Sequence, residues 1–400
     1  MDSNRKAVRR ALALAAVGAL GLGASVAACT GGVGDGDDVV GGTPGGPGGP
    51  GSSGAGGPVA PPDKTILDER TVDYGEALRT ASLKLVDRLP TLAEIKQVES
   101  ASDPKTEYEA LLDGMLEAPA FRRRMRRFWR DVFRQGGGEL DTAPVFAARI
   151  VVEGRPYTEL FTAKDNTCPT YDDATDTFAD GACQNGVAEH AGVLTNPGVM
   201  KQFYANMAFR RARWVQEIFA CTKFPAEYRD TPVPMGAGQY TSPWPFESVA
   251  KAPVDFQDTS AVVCANCHTT MNHLAPLFAN FDAEGQLQPT VSVMTPLAPE
   301  PVPTELGHWL VPGEATAWRL GVPVATLPEL GQALAADPDV HACLVARLWN
   351  FTMSKEDIVT DLATVPATVL APFVAELEKG GFNVKQTLAS MLKSEDFVSF

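Results

Sequence analysis

Residues 262–273 read VVCANCHTTMNH and set Cys264, Cys267 and His268 in the pattern C-x-x-C-H. Two thiols three residues apart, with an imidazole directly after the second, suit a short list of chemistries. On a helix, positions i, i+3 and i+4 share one face. The thiols can then add to the vinyl groups of one porphyrin while the imidazole reaches its iron from the same side. On this reading Cys264 and Cys267 attach a single haem c and His268 is the proximal iron ligand. Zinc would find enough donors in Cys264, Cys267, His268 and His273. However, the adjacency of Cys267 and His268 strains a tetrahedral site, and no second CxxC completes a structural one. A thioredoxin-like dithiol would need a βαβ context that the surrounding sequence lacks. A plain structural disulfide is the fourth alternative.

The sixth iron ligand separates electron transfer from chemistry on an open metal. Met271 and His273 follow His268 on the same segment and should stay on its side of the porphyrin. His190, Met200 and Met235 precede the motif and could arrive only through tertiary folding. Met294, in the proline-bordered run VSVMTPLAP, is the distal candidate, with His308, His341 and Met353 behind it. A water-bound or open sixth position is the alternative. The run HLAPLFANF (273–281) offers apolar groups for the wall of a haem edge.

Covalent haem requires export, and the start of the chain provides for it. Arg5, Lys6, Arg9 and Arg10 precede the apolar run ALALAAVGALGLGASV, which has the length of a signal-peptide core and is short for a membrane span. The run ends in VAACT, where small residues followed by Cys29 resemble a lipoprotein box, so Cys29 is the expected lipidation site. An ordinary cleavage site with Cys29 incidental is the alternative. Residues 30–63 are Gly, Pro, Ser and Asp with almost nothing to bury. They read as a disordered tether with a reach of roughly 30 Å. The expected organisation is a lipoprotein signal peptide (1–28), a lipid anchor and linker (29–63), an N-terminal helical region (64–160), a central region with the CxxCH box (161–300) and a C-terminal helical region (301–400).

The 34 Lys and Arg against 49 Asp and Glu give a net charge of −15. Loss of the leader removes four basic residues and Asp2, leaving 30 against 48, a net −18. Nucleic acid is therefore a poor partner. The expected partners are a membrane, through the N-terminal lipid, and a basic redox protein. With Cys29, Cys264 and Cys267 assigned, Cys168, Cys183, Cys221 and Cys343 remain. An even remainder in an oxidising compartment suggests two disulfides. Cys168 with Cys183 would staple a short acidic loop, and Cys221 with Cys343 would tie the middle of the chain to its C-terminal helices. Four cysteines allow three connectivities.

The elements that must position these residues read as helices. Thr91 and Glu94 form a capping box, and Pro104 and Pro119 open two further helices. In the second of these, Phe121, Met125, Phe128, Trp129, Val132 and Phe133 form one stripe, and the arginines opposite read as a solvated face. Residues 288–328 are proline-rich and read as a wrapped loop. Four helical runs follow. No segment has the length and alternation of a sheet. The fold class is mostly α, an irregular multi-helix domain around a single c-type haem site with a disordered N-terminal tether.

The stretch CANCHTTMNHLAPLFANFDAEGQ resembles the box C-x-x-C-H … D-P-x-G-F-x-x-E-x-F-D-x-x-G of a bacterial domain family of unknown function associated with planctomycete-type cytochrome c. It keeps Cys264, Cys267, His268, Phe281, Asp282 and Gly285, and departs at Asn272, His273, Ala275 and Pro276. Three flanking parts are similar to companion segments of the family. AGVLTNPGVMKQFYANMAFRRARWVQEIFACTKFP places Arg211 where an arginine recurs and Cys221 where a cysteine precedes a proline-containing turn. SLKLVDRLPTLAEI with FRRRMRRFWRDVFR is similar to the N-terminal part. CLVARLWNFTMSKE with LASMLKSEDFVSF is similar to the C-terminal part, with FTMSK in place of the usual ALGR. The resemblance implies an exported helical monohaem protein and names no substrate.

Hydrolase and nucleotide motifs are absent: there is no G-x-S-x-G, H-E-x-x-H or Walker loop, and the glycine run at 41–57 is linker. Asp282 and Glu284 in FDAEG could hold a cation, but the stretch reads as a helix-ending turn with Gly285 as the stop. Three functions follow: an envelope cytochrome that transfers single electrons, a haem oxidase or peroxidase with an open sixth site, and a non-catalytic scaffold with a structural CxxC.

Overall fold

Pro119 supplies the fixed φ of a first helical turn, and the stripe Phe121, Met125, Phe128, Trp129, Val132 and Phe133 follows at helical spacing. All six are buried in helix α4 (Pro119–Phe133). Each such side chain contributes about 1.5–3 kcal/mol by leaving water. In the computed structural model, which describes residues 69–222, 262–295, 297–357 and 365–400, this stripe lies at the centre of the core. Helices α1 (Tyr74–Val86), α2 (Leu92–Glu99) and α3 (Pro104–Glu117) precede it. The Thr91–Glu94 capping box opens α2, and Pro104 opens α3 behind the N-cap Asp103. Helix α5 (Thr142–Val152) packs back on α4, and α6 (Glu159–Thr162) follows.

The middle of the chain holds a hairpin of β1 (Thr170–Asp172) with β2 (Thr177–Ala179), then α7 (Pro197–Gln202), α8 (Phe209–Phe219) and α9 (Val262–Leu274). Residues 288–328 run mostly without regular structure. They also form two short antiparallel ribbons, β3 (Ser292–Val293) with β4 (Val302–Pro303) and β5 (Ala317–Trp318) with β6 (Val322–Pro323). These two-residue pairings are too short to leave an alternating pattern in the sequence. Helices α10 (Leu327–Ala335), α11 (Pro338–Thr352), α12 (Ala367–Lys379), α13 (Val384–Lys393) and α14 (Glu395–Val398) complete a mostly helical protein with one continuous buried core. The segment 70–73 pairs with 398–400: Thr71 and Phe400 exchange two backbone hydrogen bonds of 3.0 Å, and Asp73 N–H donates to Val398 O at 2.9 Å.

Both expected disulfides are present. Cys168–Cys183 closes the β1–β2 loop, and Cys221–Cys343 ties the end of α8 to α11. The arginines of α4 range from partly exposed to exposed, and four of them are ion-paired. Arg123 pairs with Asp176 at 2.6 Å and Arg127 with Asp87 at 3.1 Å, while Arg126 meets Asp173 and Arg130 meets Asp141. The acidic partners come from the β1–β2 loop and from segments on either side of α4, contacts that the helix considered alone does not reveal. Among the described residues no helix is long and apolar enough to cross a membrane. The expected signal sequence, the expected lipidation site Cys29, the expected tether and Met235 lie outside the described residues.

Candidate functional site

Cys264, Cys267 and His268 all lie on α9, as the spacing predicts. The Cys264 side chain lies outside the described residues, and Cys267 is half-buried. His268 is half-buried, and Phe209, the first residue of α8, meets its ring edge-on with centroids 4.9 Å apart. One turn further along α9, the Asn272 side-chain oxygen lies 3.3 Å from His268 Nδ1. Burial pulls the imidazole below its ordinary pKa, and the Asn272 contact offsets part of that shift. The ring is therefore neutral near pH 7. Donation from Nδ1–H to Asn272 selects the tautomer whose lone pair is on Nε2. A metal ligand needs this arrangement: a neutral imidazole, with its second nitrogen held by an oxygen acceptor.

The turn that follows α9 is built around Arg211. Its guanidinium is 1% exposed. Nε and Nη2 donate to Met200 O at 3.0 and 2.5 Å, Nη1 to Phe278 O at 2.9 Å and Phe281 O at 2.7 Å, and Nη2 also to Asp282 O at 2.9 Å. Burial lowers its pKa to about 10, so it stays charged at neutral pH. Arg211 thus fastens the turn after α9 to α8. Phe278 and Phe281, read as possible haem-edge walls, are buried core residues in that turn.

The FDAEG stretch is a structural turn, not a helix stop. Phe281 bridges Leu287, and Asp282 N–H donates to Gln286 O at 2.9 Å. Asp282 Oδ1 accepts from the Glu284 and Gln286 N–H groups at 2.9 Å each, and Oδ2 accepts from Gln288 Nε2 at 2.8 Å. Burial alone would raise this carboxyl, but those hydrogen bonds and Arg211 hold it below the usual range. With its oxygens so engaged, Asp282 serves the backbone. Glu284 pairs with Lys201 at 2.6 Å. Among the described residues no group of three or more metal-ligating side chains occurs. Gly285 has φ +78°, and a Cβ there would lie 2.4 Å from Pro197 O, so α7 passes at a distance only glycine permits.

The other candidates are dispersed. Met294 is 50% exposed. Its backbone N–H and C=O are held by the Asn206 side chain at 3.2 and 3.0 Å, three residues before Phe209. His273 is buried, with Nδ1 2.5 Å from Thr269 O and Nε2 3.3 Å from Glu314. His190 Nδ1 lies 3.2 Å from Thr195 Oγ1, and His308 Nδ1 accepts from Glu305 N–H at 3.2 Å. The two ring nitrogens of His341 face Glu378 and Ala335 O at 3.4 and 3.0 Å. Met200 is fully buried beneath Arg211, and Met353 is half-buried at the end of α11. Met271 is buried on α9. Sequence reasoning missed the roles of Asn272 and Phe209. Asn272 stands four residues from His268, a spacing that signals contact on a helix. Nothing in the sequence announces Phe209, which arrives from a distant helix.

The fold and site define a disulfide-stapled, mostly helical domain in which a CxxCH helix rests on an arginine-centred turn. Residues 63–147 match the family described as PSCyt2, a protein of unknown function (DUF1549), and residues 185–291 match PSCyt3, a protein of unknown function (DUF1588). Both are families of unknown function whose names associate them with planctomycete cytochromes. The second match contains the whole of α9 and the FDAEG turn, and neither match extends past residue 291. No curated protein and no solved structure matches the chain.

Proposed function

We propose that the protein is a lipid-anchored c-type cytochrome-like protein of the bacterial cell envelope, transferring single electrons through one haem c. The observation that carries this reading is His268 itself: a neutral imidazole on the residue after Cys267, with Nδ1 engaged by Asn272 and the lone pair on Nε2. Haem bound here would supply a one-electron iron centre. Cys264 and Cys267 would hold its porphyrin, His268 Nε2 would ligate the iron, Asn272 would fix the tautomer, and Phe209 would limit rotation of the ring. Cys29 would carry the lipid, residues 30–63 would hold the folded part away from the membrane, and the acidic surface would favour a basic redox partner.

Met294 is the proposed distal ligand, supported by the Asn206 contacts that fix its backbone near Phe209. Its exposed side chain supports a second reading, in which water takes the sixth position and the protein acts as a haem-dependent oxidase or peroxidase. A pyridine haemochrome spectrum with intact mass, on protein exported from a host with cytochrome c maturation, tests the proposal. The expected result is a c-type band and the mass of one haem, both lost in Cys264→Ala/Cys267→Ala. A six-coordinate spectrum selects electron transfer, and a high-spin spectrum that shifts with carbon monoxide selects the second reading. An unmodified mass with Cys264 and Cys267 joined to each other overturns both and leaves a tethered scaffold.

A further inference from the structure

The two disulfides have different surroundings. Cys168–Cys183 clips a local hairpin, with Thr167 Oγ1 3.3 Å from Cys183 Sγ and Asn196 Nδ2 3.5 Å from Cys168 Sγ. Cys221–Cys343 instead lines an open cavity of about 640 Å³, walled by Thr222, Arg319, Leu370 and Val374. Cys221 is half-buried and faces this space, whereas Cys343 is only 4% exposed. An incoming thiol therefore meets Cys221 first.

Backbone and charge favour opening of the same bond. Thr222 N–H donates to Gln216 O at 3.3 Å in the closing turn of α8, and Cys221 occupies the left-handed position of that turn with φ +50°. Helices usually place glycine there because a Cβ is strained in that conformation. The disulfide holds Cys221 in place against that strain, and scission lets it relax. On the other side, Cys343 Sγ lies 3.5 Å from Ile218 O, and Arg347, one turn further along α11, donates from Nη2 to Glu217 O at 3.0 Å. Sulfur and guanidinium thus rest on consecutive carbonyls at the end of α8. Arg347 is 2% exposed, with Nη1 engaged by Asp357 and its Nε–H without an acceptor. Arg347 thus places a cation one helical turn from Cys343, and a neighbouring cation makes a thiol a better leaving group.

We propose that Cys221–Cys343 is a thiol–disulfide exchange site for an external protein dithiol. The attacking thiolate forms a mixed disulfide with Cys221 Sγ and expels Cys343 as thiolate. The second thiol of the same dithiol, once deprotonated, attacks its partner's sulfur and releases the Cys221 thiolate. Two electrons pass from the dithiol to the disulfide, the dithiol leaves oxidised, and the two cysteine thiolates take up the two protons it gives up. The bond between α8 and α11 is thereby broken at one end of the helix whose other end, Phe209, meets His268. The proposal does not depend on haem.

The test uses the oxidised full chain with graded dithiothreitol, alkylation of released thiols and peptide mass mapping, with circular dichroism followed in parallel. A thioredoxin-type protein lacking its resolving cysteine serves as a trap. The expected result is opening of Cys221–Cys343 roughly ten-fold faster than Cys168–Cys183, with helicity retained and the trap bound at Cys221. Equal or reversed rates, opening only as helicity is lost, or trapping at Cys343 would overturn the proposal.

Discussion

Arg211 gives all five of its hydrogen bonds to backbone carbonyls, and four residues distant in sequence depend on it: Met200, Phe278, Phe281 and Asp282. Arg211→Met preserves much of the volume but removes the only side-chain donor among the described residues to these buried carbonyls, leaving Phe278 O with the Phe281 N–H at 3.3 Å and Asp282 O with the Gly285 N–H at 3.2 Å. The expected loss is about 3–5 kcal/mol, read as a lower urea midpoint with an unchanged slope. Arg211→Lys should recover little of it, because one ammonium cannot span both α7 and the FDAEG turn. At this scale the sequence was uneven. The positions of Cys264, Cys267 and His268 followed from spacing; cysteine arithmetic gave two disulfides, and the short acidic loop between Cys168 and Cys183 singled out the pairing that the structure shows. The work of Asp282 and Gly285 did not, because their partners, Gln288 and Pro197, acquire meaning only once the turn is folded.

Between elements, Lys84 on α1 reaches the C-terminal end of α11 and donates from Nζ to Phe351 O at 2.6 Å. Burial, with some repulsion from Arg124, lowers this amine from 10.5 to about 8. Below pH 8 the ammonium is charged in both states, and folding bears the full cost of burying it. Between pH 8 and 10.5 the unfolded chain binds the extra proton, so stability rises with pH. Buried Tyr108 and Tyr157, whose pKa values burial pushes upward, reverse the trend once tyrosinate forms in the unfolded chain. Chemical denaturation from pH 7.5 to 9.5 should therefore show a gain on the order of 1 kcal/mol in the native chain and no gain in Lys84→Met. Helices were legible where a proline or capping box met an apolar stripe, as in α2, α3 and α4. The role of the α4 arginines was not, because charge pairing between elements leaves no periodic trace within one of them.

Across the whole molecule, residues 70–73 and 398–400 close on each other. Deleting Val398–Phe400 removes the three backbone hydrogen bonds to Thr71 and Asp73 and the buried Val398 side chain, and should cost about 3 kcal/mol, visible as a lower thermal midpoint with α9 otherwise intact. Ties of this kind recur: Tyr108 donates to Leu392 O at 2.7 Å, and Tyr157 N–H donates to Phe382 O at 2.8 Å. Sequence patterning cannot foresee such pairings, since local residues specify a helix but not which distant carbonyl it will meet. They have a consequence for how the protein is made. A polypeptide made from its N-terminus presents Thr71 long before Phe400 arrives, so the pairing of 70–73 with 398–400 forms only after the intervening residues have been made. Residues 262–274 are made before that pairing can close, so α9 first forms in a chain whose segment 70–73 still lacks its partner.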